Sequence, residues 1–190
     1  GPSPEFTPRI LSKLADFGAT AAFFLIGKKI QGNEELLRRM DAAGHTIGNH
    51  TFTHSYLVDF KNCAGFMDEL NRTAEAIGKV IGKEVKLFRP PFGVTTPQLA
   101  KASEALNYGV VGWSIRSLDT TISDEDRIAK RVRERIKPGA VILFHDTSDK
   151  TVRVLERTLL YARENGYAIV SLERLLKLRP YASARTSPVT

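Results

Sequence analysis

Short apolar runs alternate with stretches of helical spacing along this chain, and that alternation narrows its possible folds more than any other feature. The runs at 21–26 (AAFFLI), 85–88, 110–115, 140–144 and 167–170 are bounded by Gly, Pro or polar residues, and 46–50 is a weaker one. Near-continuous apolar runs of this kind suit strands buried on both faces. Between them, residues 8–17, 33–43, 64–81, 97–106, 124–136 and 150–165 carry helical periodicity. Gly18, Gly44 and Gly166 follow helices as stop signals, and Thr96-Pro97 and Ser123-Asp124 precede them as starts. The series predicts an α/β domain with a parallel sheet and crossover helices, either open and doubly wound or closed as a barrel. In both arrangements a ligand meets the carboxyl ends of the strands, so the residues just after each apolar run become the candidates.

At 190 residues the chain is long enough for one domain with its own core, which we place at 1–179; residues 180–190 (PYASARTSPVT) have no apolar period and are expected to be a flexible tail. The formal charge of +7 comes from scattered basic residues on helical stretches. No basic run is interleaved with stacking aromatics, which argues against a nucleic-acid partner. Cys63 is the only cysteine, so a multi-thiolate metal centre and an internal disulfide are excluded. No run of 18 apolar residues and no basic-then-apolar leader is present, so no membrane span or export signal is expected in these residues.

Three of the four histidines stand at strand ends. His50 and His54 lie four apart in HTFTH, a spacing that lets two imidazoles converge on one metal if the segment turns; the alternative is two polar residues on a loop. Thr51, Phe52 and Thr53 are poor helix formers, so a strand running into a turn is expected. His45 precedes its strand, at the opposite end, and reads as structural. In RPPFG, Pro90 and Pro91 stiffen a turn in which the Phe92 N–H is a candidate oxyanion donor and Arg89 a candidate partner for a carboxylate; the alternative is a rigid turn with a surface Arg. His145 follows a buried run in ILFHD, where it could shuttle protons, or pair with Asp146 as the cap of the next helix. Asp119 in WSIRSLDTT gains interest only with Arg89 or His145 beside it.

HTFTH, RPPFG, the Asp119 segment and ILFHD, in that order, together with FGATAAFFLIG and AAGHTIGNHTFTH, resemble the NodB-homology polysaccharide deacetylases of carbohydrate esterase family 4. The resemblance runs from Gly1 to about residue 178. It implies a distorted (β/α) barrel that removes N-acetyl, or sometimes O-acetyl, groups from an acetylated glycan such as chitin or peptidoglycan. It implies a divalent metal, commonly zinc with cobalt, manganese or nickel as alternatives, on His50 and His54. It also implies His145 as general acid, Asp119 and Arg89 as its support, and Phe92 with Pro91 at the oxyanion and substrate position. An extracytoplasmic or envelope location accompanies the resemblance.

Two departures bear on activity. The family's T-F-D-D-G-P segment supplies a base and a third metal ligand from two aspartates; the chain opens GPSPEFTP, so a domain lacking its first strand, with a weakly held metal, is expected. In the family's D-x-x-D-W segment only the second Asp is kept, as Asp119. A non-catalytic glycan-binding relative is therefore a second reading, and a different metal hydrolase completed by Asp146 or Asp119 a third.

Overall fold

The computed structural model describes residues 1–57 and 60–182. Seven α-helices occur among the described residues: α1 (Thr7–Asp16), α2 (Glu34–Ala42), α3 (Cys63–Ile81), α4 (Pro97–Ala105), α5 (Glu125–Arg133), α6 (Asp149–Glu164) and α7 (Leu172–Leu176). Their starts follow from side chains that satisfy orphan backbone N–H groups. Asn62 accepts from Gly65 N–H, Thr96 from Leu99 N–H, Asp124 from Asp126 and Arg127 N–H, and Ser148 from Thr151 N–H. The cap of α6 is thus Ser148, not Asp146, because the chain runs two residues further before turning helical. None of these helices is long and apolar enough to cross a membrane.

Every strand pair is parallel. Strands β1 (Ala22–Leu25), β2 (Thr46–Asn49), β3 (Leu87–Phe88) and β4 (Gly109–Val110) form one row in that order, and β5 (Ile115–Arg116) pairs with β6 (Ile142–Leu143). The apolar run 110–115 reads as one strand but forms two. Val111 N–H still donates to Phe88 at 2.8 Å, whereas Ser114 and Ile115 N–H both donate to Val141, at 2.9 and 3.0 Å. The run leaves one neighbour and joins the next through Gly112, which curves the row as a distorted barrel requires.

Two expectations are corrected. Residues 167–170 form no strand: Tyr167 N–H closes the end of α6 on Ala162, and no strand among the described residues pairs with the run. An apolar run becomes a strand only where an edge is available to it. At the other end, residues 180–182 are not a free tail. Lys86 N–H donates to Pro180 and Ala182 N–H to Glu84, Val85 bridges Tyr181 in antiparallel fashion, and the Tyr181 hydroxyl accepts from Ile47 N–H. The ring of Tyr181 packs on the core beneath, a gain that a composition-based reading does not register. Residues 183–190 lie outside the described residues.

The main core lies between β1 and β2 on one side and α2 and α3 on the other, where Leu25, Leu37, Met40, Ile47 and Ile77 are buried. Phe66, Leu70, Phe88 and Leu99 continue it under α4, and Ile10 and Leu14 of α1 meet Val152 and Leu159 of α6. Gly48 sits in mid-strand because a Cβ there would stand 2.6 Å from the Phe24 ring and 3.1 Å from the Leu87 carbonyl. His45 is structural, as expected: it is 5% exposed, its Nδ1 accepts from Ala21 N–H at 3.3 Å, and burial holds its pKa below the usual value. Ile77→Ala, in the fully buried heart of this core, is expected to cost about 2–5 kcal/mol in urea unfolding with an unchanged denaturant slope.

Candidate active site

Asn49, fully buried at the end of β2, starts the HTFTH segment. Its amide donates to the Leu70 carbonyl at 2.8 Å and to the Tyr108 hydroxyl at 3.1 Å, and its Oδ1 accepts from Thr51 N–H. The chain then turns through Thr51 and His54, both in the left-handed region at φ 64° and 49°. Such backbone persists only where its surroundings determine it. Gly27 and Lys28 N–H donate to the Thr51 and Phe52 carbonyls, each at 3.0 Å. Gly27 allows this approach, since a Cβ there would lie 2.5 Å from the Phe52 ring.

The remaining anchor is Glu69 of α3, which is 1% exposed. Its carboxylate accepts from Phe52 N–H at 2.8 Å, Thr53 N–H at 2.7 Å and the Thr53 hydroxyl at 2.9 Å, and pairs with the Lys61 ammonium at 3.2 Å. Burial acts to raise its pKa, but the hydrogen bonds from Thr53 and the charge of Lys61 outweigh it and hold the carboxyl below the usual value. Reading strand ends alone missed Glu69. A signal was present: it shares a helix face with Phe66, Leu70, Thr73 and Ile77, where an unpaired acid would be costly.

His50 Nδ1 lies 2.6 Å from the Arg89 carbonyl. A carbonyl only accepts, so Nδ1 carries the proton and Nε2 keeps its lone pair. Burial pushes the His50 pKa down to about 3, and burial also lowers that of His54, so both imidazoles are neutral near pH 7. Their ring centroids stand 4.8 Å apart at 62°. Neutral, oriented and adjacent, the pair fits a divalent cation as donors. Among the described residues no cluster of three or more His, Cys, Asp or Glu is suited to a metal, so the pair is all they contribute. Asp119 and Asp146 do not complete it: Asp119 is committed elsewhere, and Asp146 accepts from the Thr7 hydroxyl.

Arg89 is buried, but it does not support Asp119 or His145. Its Nε and Nη2 donate to the carbonyls of Val111 and Gly112, at 3.3 and 3.0 Å, and its guanidinium lies over the Phe24 ring at 4.2 Å. The strand geometry explains this, because β3 and β4 are neighbours and Arg89 follows β3 directly beside the turn after β4. Burial lowers its pKa to about 10, which leaves it charged. After Pro90 and the buried Pro91, Phe92 adopts φ 56°, and no acceptor among the described residues takes its N–H. Its ring lies edge-on to His54, centroids 4.9 Å apart.

Asp119 is 1% exposed and carries four hydrogen bonds to its oxygens. Oδ1 accepts from the Ser117 hydroxyl and His145 Nδ1, both at 2.9 Å; Oδ2 accepts from His145 N–H at 2.8 Å and the Thr151 hydroxyl at 2.9 Å. His145 is thereby held with Nε2 free, near enough to His54 for their charges to interact. Burial acts to raise the Asp119 pKa, and the His145 and Ser117 hydrogen bonds overcome it, holding the group below its ordinary 3.8. A depressed carboxyl stabilises the fold above its unfolded pKa and loses that contribution as pH falls through the folded value. The stability gap between the parent and Asp119→Asn is therefore expected to narrow below about pH 4 in thermal melts at stepped pH. Glu69→Ala, which strands two backbone N–H groups, should cost about 2–3 kcal/mol in chemical unfolding, with Glu69→Gln recovering part of the loss.

A profile of the polysaccharide deacetylase family matches residues 1–111. The peptidoglycan-N-acetylmuramic acid deacetylase of Bacillus subtilis is 31% identical over 175 residues, which cover 90% of this chain and 66% of that protein. The chain thus spans just under two thirds of that relative's length. The chitooligosaccharide deacetylase of a Bradyrhizobium strain is 32% identical, with 92% of this chain and 86% of that protein covered. A crystal structure of a peptidoglycan N-acetylglucosamine deacetylase superposes with a TM-score of 0.88 at 31% identity, covering 96% of this chain and 86% of the other. A family 4 pseudoenzyme from Bacillus anthracis superposes with a TM-score of 0.84 at 27% identity, covering 90% of this chain and 60% of the other. The chain belongs to the polysaccharide deacetylases of carbohydrate esterase family 4 and shares their distorted α/β barrel.

Proposed function

We propose that this domain hydrolyses acetyl groups, by preference N-acetyl groups, from a glycan built of N-acetylhexosamine units, with a divalent metal on His50 and His54. The observation that carries the reading is the pairing of two kinds of histidine at one mouth. One is a neutral, adjacent pair in which His50 keeps its Nε2 lone pair, and the other is His145, held through Nδ1 by the buried Asp119 carboxylate. Curated relatives named for peptidoglycan and chitooligosaccharide deacetylation support the substrate class.

When bound, the metal, for which zinc is the best fit to two imidazoles, supplies Lewis-acid activation of the acetyl carbonyl and of water. The remaining work falls to the chain itself. The Phe92 N–H, aimed by the RPPFG turn, donates to the oxygen that gains charge as the carbonyl is attacked. His145 Nε2 takes the proton that the attacking water releases and passes it to the departing sugar nitrogen, so the C–N bond breaks to give the free amine and acetate. Asp119 holds the ring proton on His145 Nδ1, which leaves Nε2 open to take that proton and pass it on. Arg89 positions the site from behind: its carbonyl orients His50 while its guanidinium ties the turn to Val111 and Gly112. An extracytoplasmic or envelope location is part of this proposal, since peptidoglycan and chitin are polymers of the cell surface.

A non-catalytic glycan-binding role is the second reading. It is favoured by the absence of a third metal-binding side chain among the described residues and by the likeness to a family pseudoenzyme. Metal content and acetate release from chitooligosaccharides and peptidoglycan, measured on the chain in its full natural length, separate the two. His50→Ala is expected to abolish metal binding. His145→Ala should keep the metal and lower kcat about 10²- to 10⁴-fold. A full-length protein that binds metal yet releases no acetate from either polymer rejects the enzyme reading, and full activity in His50→Ala rejects the ligand assignment.

A further inference from the structure

The basic residues in and after α5 gather along one groove, and the acids of the same helix do not neutralise them. Arg127, Lys130, Arg131 and Arg135 line a cavity of about 230 Å³, in which Glu134 is the one acid among the described residues. Glu134 meets Lys130 at 3.8 Å and Arg135 at 4.0 Å, the limit of ion pairing, and no carboxylate among the described residues pairs with Arg127 or Arg131. The acids that open the helix are drawn away to α6: Glu125 pairs with Arg153 at 2.6 Å and Asp126 with Arg157 at 2.7 Å. Arg127, Arg131 and Arg135 follow one another four residues apart, a spacing at which like charges on a helix repel. The helix dipole favours Lys130 and Arg131 in the last turn, but it opposes Arg127 in the first. The groove therefore carries positive charge that the fold itself leaves uncompensated.

We propose that this groove binds a phosphate group. Two of its guanidinium heads are already placed: Arg131 Nε donates to the Arg116 carbonyl at 2.9 Å, and Arg135 Nη1 to the Arg131 carbonyl at 3.0 Å. Each fork keeps further N–H groups for a ligand. Leu118 and Ile122 supply the apolar wall, beside which ionic contacts are screened less than on open surface. Leu118 is held in left-handed backbone at φ 66°, its carbonyl accepting from Ile122 N–H at 2.9 Å. Charge and oxygen count select the ligand. A carboxylate has one charge and two oxygens, which a single arginine fork satisfies. A phosphate monoester carries close to two charges and three terminal oxygens, and so matches several converging cations. The groove is smaller than the sites of drug-sized ligands, so it takes the phosphate and the atoms next to it. No aromatic side chain among the described residues lines it, whereas a reader of single-stranded nucleic acid stacks bases on such rings. None of His50, His54, Asp119 and His145 lines it either, so the proposal stands apart from the deacetylase reading.

The test titrates inorganic phosphate, N-acetylglucosamine 6-phosphate, polyphosphate and glucuronate into the full-length protein by calorimetry. It compares the parent with Arg127→Gln, with Arg127→Gln/Lys130→Gln, and with Arg38→Gln, which removes one charge from the exposed face of α2. The double variant is expected to raise the Kd for phosphates about tenfold, while Arg38→Gln binds as the parent does. Affinity for the sugar phosphate should rise as pH passes about 6, because the phosphate gains its second charge while arginine and lysine keep theirs. Tighter binding of the sugar phosphate than of inorganic phosphate supports the site with a phosphorylated sugar as its source. Binding of polyphosphate alone, lost in the double variant, supports it with a polymer as the source. Parent-like phosphate affinity in the double variant overturns the site, as does a parent that binds no phosphate. An equal loss in Arg38→Gln also overturns it, since net charge then suffices, and glucuronate bound as tightly as the sugar phosphate overturns the choice of phosphate.

Discussion

Parallel pairing of β2 between β1 and β3 is the constraint on which the rest of the molecule depends. Its register sets Leu25 beside Asn49 and Asn49 beside Phe88, so the chain leaves all three strands at one edge of the sheet. His50 and Arg89 then emerge as neighbours, and the Arg89 carbonyl reaches the His50 ring without any dedicated device. Gly48 makes the register possible by ceding its side-chain space to Phe24. A one-residue slip would turn His50 toward the opposite face of the sheet and leave Asn49 unpaired in the core.

The site itself is held by buried polar groups rather than by apolar packing. Asn49, Glu69 and Asp119 are each withdrawn from water, and each spends its acceptors or donors on a segment that carries a histidine. In a low-dielectric setting such bonds are strong and an unmatched partner is costly, so these residues restrict the loops to one arrangement. The left-handed Thr51, His54 and Phe92 are tolerated on the same basis. Rigid placement of this kind is what a metal pair and an oxyanion donor require, since neither can search for its ligand during the reaction.

Much of this was legible before any coordinates. Helices α1 to α4 and α6 lie within a residue or so of their periodic segments, because amphipathic spacing and the residues that cap it are local properties. The strand-end rule collected His50, His54, Arg89, Phe92, Asp119 and His145 without knowledge of their contacts, and in the structure His50 and His54 follow β2, Arg89 and Phe92 follow β3, Asp119 follows β5 and His145 follows β6. Contacts set by partners distant in sequence were not legible. Arg89 binds carbonyls 22 and 23 positions away, and Tyr181 reaches back to Ile47, 134 positions away. The run 110–115 splits because its two halves find different neighbours, and 167–170 forms no strand because it finds none among the described residues.

The amino-acid sequence by itself determined the α/β class, the order of elements and the residues placed at the strand ends, since hydrophobic period and chain direction suffice for these. Tertiary structure alone decided which imidazole nitrogen is free, that Asp119 rather than Arg89 holds His145, and that Glu69 governs the loop between His50 and His54. Those outcomes depend on where a carbonyl or carboxylate from another element comes to rest, and that position exists only once the parallel register has formed.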